Sequence, residues 1–228
     1  MSSFDFSSPL LRDKQAALDV QDLQGILNIE WKIRNKTLFS GIYTRVDQVF
    51  IIWGLLAAIF FTTAQFLPIS WTTQAILWST LSLIATSSMV VFTWFWVSVE
   101  RLRWVVYSWV LLVLTGLIVT NLGIFLGWGK VLMHLCPLWL GLSATGYFYT
   151  GLGLKSRTLI LNSLVHLIAI ALLPHISAWQ FLATGIVMGF SLLILAQLQW
   201  DMRSPITYDL LTLEQREFNR QQQKLRGI

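Results

Sequence analysis

The stretch QVFIIWGLLAAIFFTTAQFL, residues 48–67, runs for twenty positions without a charged side chain. At a rise of about 1.5 Å per residue a helix of that length covers about 30 Å, the thickness of a bilayer's hydrocarbon core. The run therefore predicts a membrane-spanning helix, and five more follow it: Ala75–Ser98, Trp104–Leu126, Val131–Gly151, Ser156–Leu173 and Trp179–Gln199. In the fifth, the apolar part starts only at Thr158, so Lys155 and Arg157 must extend their stems toward the headgroups. The expected fold class is all-α, a polytopic integral membrane protein whose six helices form three hairpins. The bundle occupies residues 47–200, between an amino-terminal region of 1–46 and a carboxy-terminal tail of 201–228.

Charge supports this parse. Of the sixteen Lys and Arg residues, only Lys130 falls on one side of it. Arg12, Lys14, Lys32, Arg34, Lys36 and Arg45 precede the first span, Arg101 and Arg103 join the second to the third, and Lys155 and Arg157 join the fourth to the fifth. Arg203, Arg216, Arg220, Lys224 and Arg226 follow the sixth. The positive-inside rule then predicts cytoplasmic termini and hairpin tips on the opposite side. Adding or removing one span would scatter these residues across both faces. Composition agrees, with 55% hydrophobic and 12% charged residues. The net charge of +5 is accounted for by membrane-flanking cations meeting anionic headgroups, so nucleic acid is not an expected partner. No apolar run precedes Gln48, so no cleavable leader is expected. Cys136, the single cysteine, has no internal disulfide partner. Trp71, Trp128 and Trp179 fall at one expected interface, and Trp96, Trp104 and Trp200 at the other.

Both tails carry pattern. Ser8–Pro9 reads as a helix start, and Ala16, Val20, Leu23, Leu27 and Trp31 recur at spacings of three and four, predicting an amphipathic cytoplasmic helix. Asn28 to Arg34 alternates polar and apolar residues, which suits a strand, but a lone strand would leave its edges unpaired. Beyond Ser204–Pro205, Thr212 and Gln215 form a capping-box pattern opening a polar helix to about Leu225.

Absences narrow the chemistry. All Asp and Glu lie in tails, inner loops or at span ends, with Asp47, Glu100 and Asp201 nearest the bilayer. Cation-coupled carriers commonly use an intramembrane carboxylate, and aspartate-pair proteolysis requires two. Ser143 sits in Gly141-Leu142-Ser143-Ala144-Thr145-Gly146, unlike the Gly-x-Ser-Gly pattern of rhomboid proteases, and reads as a packing hydroxyl. No enzymatic activity is expected.

Histidine is the remaining chemical signal. His166 falls roughly 10 Å and His134 roughly 5 Å inside the outer ends of consecutive spans. Together they are candidate ligands for a haem or a chlorophyll-type magnesium, with Met133 and Cys136 beside His134. Thr158, Asn162 and His166 form a polar stripe on the fifth span, and Ser79, Ser82, Thr86 and Thr93 a possible facing stripe on the second. Interhelical hydrogen bonding explains such stripes without a ligand, and a solute pathway is the alternative. Gly185 and Gly189 permit close helix approach, within the bundle or between protomers. The tips Phe66–Trp71 and Leu172–Ser177 share Leu-Pro and a serine, which suits interfacial turns as well as hairpin duplication. The function expected from these residues is a non-enzymatic membrane interaction or assembly subunit that binds protein partners through its tails. The cofactor protein and the small-solute channel or transporter are the alternatives.

Overall fold

The computed structural model describes residues 4, 6, 9–15, 17–33, 36–206 and 210–226. In chain order its elements are strand β1 (Leu11–Arg12), helix α1 (Val20–Leu23), and strands β2 (Leu27–Ile33) and β3 (Lys36–Tyr43). Helices α2 (Arg45–Phe66), α3 (Trp71–Val99), α4 (Arg103–Phe125), α5 (Gly129–Leu132), α6 (Leu135–Leu154) and α7 (Arg157–Leu172) follow. A 3-10 turn over Leu173–Trp179 leads to α8 (Gln180–Gln197), β4 (Gln199–Trp200) and α9 (Leu213–Leu225).

Helices α2, α3 and α7 begin where a side chain satisfies a first-turn N–H group. Thr44 accepts from the Asp47 N–H at 3.3 Å while its own N–H donates to the Asp47 carboxylate at 2.8 Å, a reciprocal capping box. Ser70 and Ser156 cap α3 and α7 from one side only, accepting from the Thr73 and Leu159 N–H groups. Tight reversals follow α3 and α6, where Arg101 and Lys155 adopt left-handed backbone with φ of 56° and 53°.

Among the described residues, four helical stretches are long and apolar enough to cross a membrane: Arg45–Phe66, Trp71–Val99, Arg103–Phe125 and Arg157–Gln197. The last contains α7 and α8, separated by the 3-10 turn with non-helical Ile176 (φ −127°, ψ 38°). The glycine-rich α6 is not among the four.

Helices α2, α3, α4, α6 and α8 pack in a closed ring, α8 returning to α2, and α7 lies behind α6 and α8. Leu55, Ile84, Val91, Leu111, Ile118 and Phe190 are exposed on its outer surface, where a lipid environment would satisfy them. Gly185 and Gly189 act inside the bundle. A side-chain carbon at Gly189 would lie 3.1 Å from the Gly54 carbonyl oxygen, and one at Gly185 2.8 Å from Phe61 Cβ. Small residues therefore bring α2 and α8 into backbone contact.

The amino-terminal region departs from the expected amphipathic helix. Among the described residues of this region only Val20–Leu23 is helical, Gly25 turns the chain at φ 68°, and β2 pairs antiparallel with β3. The alternation from Asn28 is a strand pattern after all, because Lys36–Tyr43 supplies the partner edge that a lone strand would lack. Pro9 is not helical; Ser8 and Ala16, also part of the expected helix, lie outside the described residues. In the carboxy-terminal tail, α9 begins at a reciprocal capping box between Thr212 and Gln215.

Candidate functional site

Both tails fold onto the end of the bundle where the chain enters α2 and leaves α8. There β1 pairs with β4, so residues 11 and 12 lie beside 199 and 200. Asn219 on α9 accepts the Val20 N–H at 2.8 Å and donates to Gln21 at 3.0 Å, and Gln21 in turn donates to Glu100 at 3.3 Å. One polar chain thus joins α9, α1 and the end of α3. Buried side chains thus tie both tails to the bundle.

Each of the buried carboxylates Asp19, Asp47, Glu100 and Asp201 has a cationic partner distant in sequence or on another element. Lys14 lies 2.7 Å from Asp47, Arg157 2.9 Å from Asp201 and Arg203 3.2 Å from Glu100, and Arg226 pairs with Asp19. Asp201 is the most densely bonded. Its carboxylate accepts from the Ser156 hydroxyl, the Thr158 hydroxyl and N–H, and the Arg157 N–H and guanidinium, at 2.6 to 3.1 Å. Burial opposes its charge, but these donors outweigh burial and hold the carboxyl below the ordinary aspartate value.

Glu100 and Asp22 show the reverse balance. Burial pushes Glu100 up to about 7 despite Arg203, whose Nη2 donates to the Glu100 backbone carbonyl at 2.8 Å and leaves Oε2 without a hydrogen bond. Burial and the neighbouring Asp19 push Asp22 up to about 6, against the Trp96 indole N–H that it accepts at 2.9 Å. Near neutrality this end of the protein therefore holds a carboxyl poised between its charged and neutral forms.

The two histidines are not brought together. His134 is exposed at the start of α6, its Nδ1 2.7 Å from the Lys130 carbonyl oxygen. His166 is fully buried, its ring centroid 5.0 Å from that of Tyr147, and Tyr147 is thirteen residues, about 20 Å of helix, beyond His134. The His166 Nδ1 lies 2.8 Å from the Asn162 carbonyl oxygen, and its Nε2 is buried without a partner among the described residues. No cluster of three or more His, Cys, Asp or Glu able to hold a metal occurs among those residues.

The polar stripes also take separate partners. On α7, Ser163 donates to the Ala144 carbonyl of α6, and Thr158 joins the Asp201 network. On α3, Thr86 and Thr93 donate to their own helix at Ser82 and Met89, while Ser79 accepts from Asn121 of α4 at 2.8 Å. The expected facing of these stripes gives way to packing of α3 against α4 and α7 against α6.

Three adjoining cavities run from the polar end into the ring. The first, about 100 Å³, is lined by Asp19, Asp22, Asp47, Glu100 and Arg226. The second, about 150 Å³, has aromatic walls formed by Phe50, Trp53, Trp96, Trp109, Tyr147 and Trp200. Val46, Trp96 and Trp200 line both. A third of about 60 Å³ shares Trp53, Ala57, Trp139 and Met188 with the second. Glycines seat two of the rings: Trp109 lies against Gly146 and Trp139 against Gly116, where a side-chain carbon would approach within 2.5 and 2.8 Å.

The indoles of this region differ in one respect. Trp96, Trp109 and Trp139 donate to Asp22, Thr150 and Thr120, whereas the buried Trp53 Nε1–H has no partner among the described residues. An unpaired buried N–H costs about 1–3 kcal/mol. A surplus of tryptophan is visible in the sequence, but nothing in its spacing marks Trp53 as the unpaired one. No family model, curated protein or solved structure matches the chain.

Proposed function

We propose that this is a six-span integral membrane protein with both termini in the cytoplasm, acting as a non-enzymatic interaction or assembly subunit. The six-span parse rests on the one-sided distribution of Lys and Arg and on counting α6, α7 and α8 as separate crossings. The partner-binding reading is carried by one observation: the β2–β3 hairpin extends from the tail layer with Leu27, Ile29 and Ile33, at alternate positions on one face of β2, 46%, 41% and 59% exposed. Buried ion pairs hold the tail layer in one arrangement, and Lys14 ties it to β3 by donating to the Ile42 carbonyl at 3.0 Å, so the face is presented without the ordering cost of a free tail.

Deleting residues 1 to 40 would not isolate this face, because it would strip Arg226, Glu100 and Trp96 of Asp19, Gln21 and Asp22. A photo-crosslinking amino acid at position 29 or 33, activated in native membranes, is the direct test. The expected product is a protein adduct of discrete mass, lost when Leu27→Ser is combined with the probe. Adducts to lipid alone would place the hairpin on the bilayer and refute the partner reading.

A further inference from the structure

We propose that the polar and central cavities together bind a lipophilic organic ammonium, its cationic head beside Asp22 and its apolar body between the aromatic walls. The charge balance sets the sign of the head. The polar cavity is lined by the carboxyls of Asp19, Asp22, Asp47 and Glu100 but by only two cations, Lys14 and Arg226. Lys14 is taken by Asp47 and Arg226 by Asp19, and Arg203 pairs with Glu100, whereas no cation among the described residues forms an ion pair with Asp22. Asp22 is also the accessible one of the four. Asp19, Asp47 and Glu100 are buried, while Asp22 is only half-buried.

The aromatic walls set the body. Asp22 accepts the Trp96 indole N–H at 2.9 Å, and Trp96, with Trp200, lines the central cavity as well as the polar one. A cation held at Asp22 therefore lies beside an indole that leads into the second space, and the faces of such rings attract ammonium groups. At about 150 Å³ the central cavity matches spaces known to hold one benzene-sized ring, and no charged side chain lines it. The hydroxyls of Thr93, Ser143, Tyr147 and Thr150 in its wall are uncharged and able both to donate and to accept, so selection by charge falls to Asp22. A neutral ligand would leave Asp22 uncompensated, and an anion would meet the excess of carboxyls. A metal ion would need several ligands around it, and among the described residues no three His, Cys, Asp or Glu are so placed.

The test measures equilibrium binding of radiolabelled phenylbutyltrimethylammonium to the full chain in lipid nanodiscs, with empty nanodiscs as the blank. Saturable one-to-one binding is expected. Two unlabelled competitors separate the parts of the site: the neutral isostere with a tert-butyl group in place of the ammonium, and tetramethylammonium, which lacks the ring. Each should compete about tenfold less well than the unlabelled parent. Asp22→Asn keeps an oxygen for the Trp96 N–H and should weaken the parent about tenfold. Asp13→Asn, at an exposed carboxyl outside the three cavities, should leave it unchanged. No saturable binding by the unaltered protein, or a neutral isostere that competes as well as the parent, overturns the proposal even where Asp22→Asn fails to fold. Unchanged affinity in a folded Asp22→Asn overturns it as well. The outcome is independent of whether the hairpin meets a protein partner.

Discussion

Replacing Glu100 by glutamine should stabilise this protein at neutral pH, against the usual outcome of removing a buried ion-pair partner. Glu100 is 1% exposed, and its carboxyl rises from an ordinary 4.5 to about 7 because burial outweighs Arg203. A raised carboxyl pKa means that the folded chain holds its proton where the unfolded chain has lost it. Stability therefore falls as pH rises from 4.5, and the loss is nearly complete above 7. At about 1.4 kcal/mol per pKa unit the full effect is about 3 kcal/mol. Glutamine keeps the geometry. Its amide oxygen can still accept from Gln21, and Arg203 retains the residue-100 backbone carbonyl at 2.8 Å. The assay is thermal melting in detergent followed by tryptophan fluorescence, with wild type and Glu100→Gln compared from pH 4.5 to 8. The variant should gain on wild type steadily up to pH 7 and then hold its lead. A wild type that is the more stable at pH 8, or a difference that does not change with pH, would show that Arg203 governs the site and that burial does not.

Asp201→Asn should act in the opposite direction, destabilising by about 3 kcal/mol because it breaks a buried pair and several charge-assisted bonds. Since the Asp201 pKa is lowered, its contribution is present above the ordinary value of 3.8 and is lost as pH falls through the folded value; melting at pH 7 and pH 3 should show the variant's deficit shrinking in acid. Topology is testable with Cys136 replaced by alanine and single cysteines introduced as Lys130→Cys and Lys224→Cys. In sealed vesicles an impermeant maleimide should reach them from opposite sides, and labelling of both from one side refutes the six-span parse.

Membrane character was legible in the chain because hydropathy over twenty residues and the placement of cations are local, additive properties. The structure's long apolar helices carry it, four of them meeting the length and hydropathy of a span. The capping box at Thr212 was equally legible, since its partners lie three residues apart. The hairpin was half visible: alternation from Asn28 indicated a strand, but the choice between strand and helix depended on whether Lys36–Tyr43 would pair with it. Partners far apart in sequence carried no local signal. Nothing near Asp19 indicates Arg226, and nothing near Asp201 indicates Leu10, whose carbonyl shares the Thr158 hydroxyl. The histidines, read as neighbours because their helices are consecutive, are separated by the length of α6 between His134 and Tyr147. Helix length and helix order follow from the one-dimensional pattern of apolar residues. Which polar groups meet, which indole is left unpaired and where a cavity remains depend on the rotation and contact of helices, and those are properties of packing alone.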